Sequence, residues 1–281
     1  MTTELTSLVL QLARPAPATL PRDLSRASHA IFLQAVSRHS VALAQHLHES
    51  SQVKPFTCSN VHGGHRQGDQ LHVQANASVW LRFTGLNAEV SAALHTLAQQ
   101  PPASVNLDGE DFGVVLATLD GQAHPRASSS TYESLSAPYL LAKAVPHSRI
   151  TLRFVSPTAF RAKGQNLPLP LPRSVFGSLL DKWNAFGPIA FSDEVQRFAE
   201  ECLAISQFRG RTRVWSGKAG KVLIGFVGQA TFAALNKDRY WLSLINVLAD
   251  FAWYAGVGYQ TTAGMGQVRQ VLSVTDGDAQ P

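Results

Sequence analysis

Residues 256–266 read GVGYQTTAGMG, two Gly-x-Gly pairs separated by five residues, and they follow an apolar, helix-patterned segment and precede a short strand-like run. Glycine lacks the Cβ that disfavours positive φ and keeps other groups away from the main chain, so Gly256, Gly258, Gly264 and Gly266 mark a backbone that must approach something closely. That something is either the other side of a tight helix-to-strand turn or a polyanion resting on main-chain N–H groups. Tyr259, Thr261, Thr262 and Gln267 are interleaved as hydrogen-bond donors, with Arg269 close behind, which favours a binding loop. The nucleotide motifs do not fit. No Gly-Lys-Ser/Thr ending is present, and the glycines follow a helix instead of opening one.

With 281 residues, 45% hydrophobic and 15% charged, the chain can build one large or two ordinary domains, each with a real core. The longest apolar run, residues 222–235, is interrupted by Gly225, Gly228, Gln229 and Thr231. It falls short of the roughly 20 residues a bilayer-spanning helix needs. Glu4 lies near the N-terminus without a basic region before it, so no secretory leader and a cytoplasmic location are expected. Cys58 and Cys202 stand far apart and lack companions at metal spacing; both read as packed thiols, and no metal or other cofactor is expected. Charge is segregated: residues 1–147 hold 9 Lys+Arg against 10 Asp+Glu, residues 148–281 hold 15 against 9. Arg149, Arg153, Arg161, Lys163 and Arg173 form one acid-free run, and Arg209, Arg211, Arg213, Lys218 and Lys221 another. Such clusters are the electrostatic footprint of a phosphate backbone. All ten histidines lie in the first half, apart from those cations.

Hydrophobic spacing gives an element order. Residues 3–13 read as a strand and ARPAPATLP as an extended connector. Residues 24–48 have helical spacing at Ala27, Ile31, Leu33, Val36, Ala44 and Leu47, with a break near Ser40. Strands are expected at 56–61 and 71–83 around a Gly/His-rich turn, then a helix over 87–100 ended by Pro101 and Pro102, and a strand over 114–119. The second half repeats the plan: strand 148–160, helix 171–186 with Pro172 in its first turn, strands 204–214 and 221–234, helix 242–255 and strand 266–274. A short amphipathic helix from Ser192 lies in an insertion over 188–202. The duplicated βαββαβ order predicts an α+β protein of two tandem ferredoxin-like, or RNA-recognition-like, domains over residues 1–145 and 146–281.

Five segments, FAWYAGVGYQTTAGMGQVR (251–269), SPTAF (156–160), LPLPLPRSVFGSLLDKWNAF (167–186), IGFVGQATF (224–232) and LAQHLHESSQVKPFTCS (43–59), resemble the CRISPR precursor-RNA processing endoribonucleases. These form the sixth numbered Cas family, within the repeat-associated (RAMP) superfamily. The resemblance runs in order across nearly the whole chain, and the glycine motif is its most specific part. It implies two ferredoxin-like domains and a metal-independent cut within CRISPR repeat RNA that leaves a 2′,3′-cyclic phosphate and a 5′-hydroxyl. Its alternative is a non-catalytic RAMP subunit that holds guide RNA in an effector complex. Other effector subunits and a homodimer are open as further partners.

Such a cut needs a group to accept the proton of the attacking 2′-hydroxyl, a group to donate to the departing 5′-oxygen, and cations beside the phosphorus. The resemblance puts His48 at the family's catalytic histidine, just before Glu49, and Lys54 at its auxiliary lysine. Some relatives carry a tyrosine on the preceding helix; the matching position here is Leu33, which cannot transfer a proton. His29, near the start of the same helix, is the preferred substitute, ahead of His46. His39 is expected to be exposed, and His62 and His65 to be solvated in a flexible VHGGHRQGD loop. Gln260 replaces a lysine frequent in relatives, which shifts the burden of phosphate binding to main-chain N–H groups and Arg269. Arg153, Arg161, Lys163, Arg209, Arg211 and Arg213 are the cations expected to line an RNA groove between domains, while Trp183, Trp241 and Trp253 read as core.

Overall fold

The computed structural model describes residues 3–49, 53–141, 144–162, 164–217 and 222–271. The first half holds β1 (Leu5–Ala13), β2 (Ala18–Pro21), α1 (Ser25–His39), α2 (Val41–Glu49), β3 (Phe56–Cys58), β4 (His65–Gln67), β5 (Gln70–Val73), β6 (Val79–Gly85), α3 (Ala88–Gln99), β7 (Ser104–Leu107), β8 (Glu110–Thr118), β9 (Ser128–Ser130) and α4 (Tyr132–Leu140). The second half holds β10 (Arg149–Thr158), β11 (Phe160–Ala162), β12 (Gln165–Leu167), α5 (Pro172–Phe186), α6 (Glu194–Cys202), β13 (Leu203–Ser216), β14 (Val222–Ala234), α7 (Arg239–Ala255) and β15 (Val268–Val271).

Two antiparallel sheets organise these elements, with orders β3-β6-β1-β8-β7 and β13-β14-β10-β15. In each, the first and third strands of the βαββαβ unit are central, so both halves are ferredoxin-like. Alternation along β1 sends Leu8, Leu10 and Leu12 into a core with Phe32 and Val36 of α1 and Val90 and Leu94 of α3. Leu152 and Phe154 of β10 do the same with Phe176 and Leu179 of α5 and Leu248 and Phe251 of α7. The two cores meet where Leu5, Leu86 and Tyr132 of the first half join the second core. The Tyr132 hydroxyl donates to Leu86 O at 2.8 Å while its ring packs edge-on against Trp183. Among the described residues, no helix is long and apolar enough to cross a membrane.

Local chemistry explains the departures from the expected elements. The break at Ser40 is real: its φ of −155° and ψ of 115° end α1, and its hydroxyl accepts from Leu43 N to start α2. The single strand expected over 71–83 is two, because Asn76 adopts φ 60° and turns the chain between β5 and β6. The β7–β8 hairpin turns through Asp108 (φ 54°) and Gly109 (φ 92°). That is the Asp-Gly signature of a type I′ turn, present in the sequence but not used there. Asp238, whose carboxylate accepts from Tyr240 N and Trp241 N, starts α7 three residues before the expected position. Helix α4 contains Pro138, which masked it, and begins on a Thr131 cap. Residues 272–274 of the last expected strand lie outside the described residues.

Candidate nucleic-acid interface and active site

All four loop glycines have positive φ, from 59° at Gly256 to 87° at Gly264, and Gln260 between them has φ 59°. What they approach is the protein itself. A Cβ on Gly258 would lie 2.4 Å from Ala159 O, and one on Gly266 2.2 Å from Val257 O. Their amides are used in the same way: Gly256 N donates to Ala252 O, Gly258 N to Ser178 Oγ, Gly264 N to Cys58 O and Gly266 N to Pro157 O. The expected cradle of glycine N–H groups for an anion is therefore not formed. The loop instead fastens the halves together, with Gly264 bridged to Ser59 and packed on Ser25 and Asn60 of the first half. Gln260, Thr262, Ala263 and Gly264 form one wall of a cleft of about 1440 Å³, and Thr261 is buried behind it.

His29, half-buried on α1, also lines the cleft. Its Nδ1 is 2.9 Å from Thr262 O of the loop. A carbonyl oxygen only accepts, so Nδ1 carries the proton and Nε2 keeps its lone pair. Burial lowers the His29 pKa below 6.5; the Thr262 hydrogen bond opposes this, and the charges of His48 and Lys54 add to it. His48 is exposed in the last turn of α2. Lys54 donates to Leu47 O at the same helix end, where unsatisfied carbonyls favour a cation, and desolvation lowers its pKa. His29 of α1, His48 of α2 and Lys54 of the segment before β3 thus lie near enough for the charges of the last two to act on the first. Leu33 packs against the first core, as its apolar side chain requires. His46 and His39 are exposed, His39 beside Thr96 Oγ1 at 2.9 Å.

His62 corrects the expectation of a solvated loop. Its ring stacks on Trp80 with centroids 4.0 Å apart, and its pKa falls to about 3, chiefly through burial and then through the charges of Arg66 and Arg126. The Gly/His-rich stretch is ordered into the β4–β5 hairpin, on which His65 alone of the pair is exposed.

The cations divide into two groups. Arg213 enters the cleft and meets Arg22 and Arg66 from the first half; burial lowers the Arg66 pKa, and the charges of Arg22 and Arg213 lower it further. Arg22 and Arg66 were hidden in the sequence by the nearly neutral balance of their half. On the C-terminal sheet, register places Arg209 of β13 opposite Gln229 of β14, Gln229 opposite Arg153 of β10, and Arg153 opposite Arg269 of β15. Paired residues share a face, so these form one row across the sheet, away from Leu152 and Phe154. Arg126 approaches this row, its pKa lowered by burial and then by Arg269 and Arg153. Arg161 stacks on Tyr259 at 4.4 Å and donates to its hydroxyl at 3.0 Å. Arg211 is exposed further along β13, Arg173 is paired with Glu200, and Lys163 lies outside the described residues. Trp183 is core, as expected; Trp241 and Trp253 are partly buried against the same core.

Comparison with known proteins gives the family. The N-terminal domain model of CRISPR Cas6 matches residues 5–136, and the model of the CRISPR-associated endoribonuclease Cas6 matches residues 152–268. A CRISPR-associated endoribonuclease Cas6 of Mycobacterium tuberculosis is 29% identical over 192 residues, which is 66% of this chain but only 59% of that protein's length. A Cas6 product complex is similar with a TM-score of 0.77 at 28% identity, over 95% of this chain and 99% of the other. Thermus thermophilus Cas6 gives a TM-score of 0.73 at 26% identity, over 96% and 100%. A RAMP protein described as binding different RNA substrates shares the fold, with a TM-score of 0.63 at 13% identity over 95% of this chain and 100% of the other. Matched in order by models of both halves and along nearly its whole length by solved relatives, the chain belongs to the CRISPR-associated endoribonuclease Cas6 family.

Proposed function

We propose that this chain cleaves CRISPR precursor transcripts within their repeats, without a metal ion, leaving a 2′,3′-cyclic phosphate and a 5′-hydroxyl. The observation that carries this reading is the contact of His29 Nδ1 with Thr262 O, beside His48 and Lys54. In the step proposed, His29 Nε2 takes the proton of the 2′-hydroxyl as its oxygen bonds to phosphorus. The bond from phosphorus to the 5′-oxygen breaks, and His48, as imidazolium, gives that oxygen a proton. Lys54 offsets charge on the phosphoryl oxygens. Arg153, Arg209 and Arg269 hold the RNA backbone on the sheet, Arg213 in the cleft, and Arg161 with Tyr259 at the loop rim. The boundary between the half that carries the imidazoles and the half that carries this row is taken at residues 145 and 146.

The test is cleavage of repeat RNA in EDTA by the wild type, His48→Ala and His29→Ala. Cleavage should persist in the chelator, stop when the scissile nucleotide is 2′-deoxy, and fall by about 10²- to 10⁴-fold in either variant. Loss of cleavage on chelation would remove the metal-free step, and full activity in His48→Ala would remove its role. Tight, salt-sensitive RNA binding by a wild type that never cuts would favour the non-catalytic RAMP subunit instead.

A further inference from the structure

We infer that Lys182, buried on α5, is a positioning residue for this reaction: its ammonium fixes the turn of the glycine loop whose Thr262 carbonyl orients His29. The inference rests on the nuclease reading above for its effect on rate, but its structural part stands without it.

Lys182 is 7% exposed and has no part in the contacts described so far. Its Nζ donates to Ala255 O at 2.6 Å, to Gly256 O at 3.3 Å and to Thr261 Oγ1 at 3.1 Å. An ammonium has three N–H groups, and these three acceptors use them all. None of the three is a carboxylate. Burying a cation without an ion-pair partner is unfavourable, and an apolar side chain would pack more favourably among Val175, Leu179 and Trp183 on this face of α5. General stability therefore does not account for a lysine here. Its position does: Ala255 and Gly256 are the carbonyl end of α7, where unsatisfied acceptors and the helix dipole favour positive charge. One turn earlier on α5, Ser178 Oγ accepts from Gly258 N at 2.8 Å. Ser178 and Lys182 thus grip the loop at Gly256, Gly258 and Thr261.

The third contact links Lys182 to the chemistry. Thr261 opens a short 3₁₀ turn, Thr261–Ala263, and the next residue presents the carbonyl that accepts from His29 Nδ1. From Lys182 to the imidazole the path is one hydrogen bond, one peptide unit and a second hydrogen bond. Other tethers hold the far side of the turn, from Trp215 Nε1 to Ala263 O and from Gly264 N to Cys58 O. Without Lys182 the turn keeps its far anchors and loses the one next to Thr262. The carbonyl then wanders, His29 is no longer confined to the Nδ1–H tautomer, and Nε2 is a proton acceptor for only part of the time. RNA affinity, supplied by arginines elsewhere, is unaffected.

The experiment uses the full chain and Lys182→Met. The cation is buried without a carboxylate partner, so removing it relieves a desolvation cost and the variant is expected to fold. The first readout needs no RNA: ¹⁵N NMR of the His29 imidazole, identified by its disappearance in His29→Gln. Wild type should show the Nδ1–H tautomer and Lys182→Met a mixture. The second is single-turnover cleavage, expected to fall about 10- to 100-fold with unchanged affinity for 2′-deoxy repeat RNA. Thr261→Val, which removes only the hydroxyl acceptor, should move both readouts the same way and decides the matter if Lys182→Met does not fold. An unchanged His29 tautomer, or an unchanged rate, in the folded variants would overturn the inference. A wild type that does not cleave defeats the nuclease reading, and the tautomer readout still judges the link between Lys182 and His29.

Discussion

His29 shows how one contact decides a side chain's chemistry. A bare imidazole on a helix could be acid, base or simply packed; a carbonyl at Nδ1 leaves Nε2 as the only acceptor of the neutral ring, and burial favours that neutral form. Because burial lowers its pKa from 6.5, the base proposed at Nε2 is lost only as pH falls below that value. The unfolded chain also binds this proton more readily, so stability declines over the same window, and rates must be compared where circular dichroism shows the fold intact. Single-turnover rates should therefore show an acid limb centred below pH 6.5, and His29→Gln should lower the plateau by about 10²- to 10⁴-fold and remove that limb. A limb unchanged in the variant would assign the proton transfer elsewhere. Resemblance pointed to His48 and Lys54, and to His29 as the substitute for an absent tyrosine, roles that stand as proposals. The partner of His29 was not legible: Thr262 is 233 residues away, and nothing local in the sequence joins them.

At the scale of elements, the glycine loop was legible as a place of close approach but not for what it approaches. Positive φ and a missing Cβ can serve a ligand or the chain itself equally well, and here the chain takes the space, with its carbonyls at Gly256, Gly258 and Gly266 and with Ser25 and Asn60 at Gly264. Gly258→Ala would force φ of 80° on a residue with a Cβ 2.4 Å from Ala159 O, and should cost about 2–4 kcal/mol in chemical denaturation. Gly109→Ala, at φ 92° with nothing near its Cβ, isolates the conformational part and should cost about 1 kcal/mol. Equal losses would mean that the crowding at Ala159 is absent. The ferredoxin-like order was legible because strands alternate and helices carry apolar stripes, whereas the arginine row was not, since it exists only once register aligns β13, β10 and β15. If RNA phosphates lie along that row, Arg153→Gln should make the plot of log affinity against log salt shallower by about 0.7–0.9. An unchanged slope would move the RNA path off the sheet.

Across the whole molecule, the proposed catalytic geometry depends on two halves staying in register, because His29 comes from one and its carbonyl from the other. The seam between them is polar at its centre. Arg82, 5% exposed on β6, donates to Ser7 Oγ at 2.7 Å in its own half, and to Gln267 Oε1 at 2.8 Å and Trp253 O at 2.6 Å in the other. Its guanidinium also stacks 4.5 Å from the Trp253 ring. Thr84 Oγ1 to Tyr254 O and Gln267 Nε2 to Thr57 Oγ1 continue the seam. No carboxylate pairs with Arg82 among the described residues, and burial, then repulsion from Arg126, lowers its pKa to about 9. Arg82→Met relieves that burial cost but leaves the acceptors on Gln267 and Trp253 without their donor inside the protein. The second effect should win, because each unsatisfied buried acceptor costs about 1–3 kcal/mol, whereas the methionine side chain covers only part of the space. The expected loss is about 2–4 kcal/mol in chemical denaturation, with the halves unfolding in two transitions instead of one. Arg197→Met, which removes an exposed guanidinium paired with Glu194, should change stability by less than about 1 kcal/mol and serves as the surface control. A single transition at wild-type stability in Arg82→Met would mean that the seam is held by apolar packing around Leu5, Leu86 and Tyr132, and that the register of His29 with the loop comes from there.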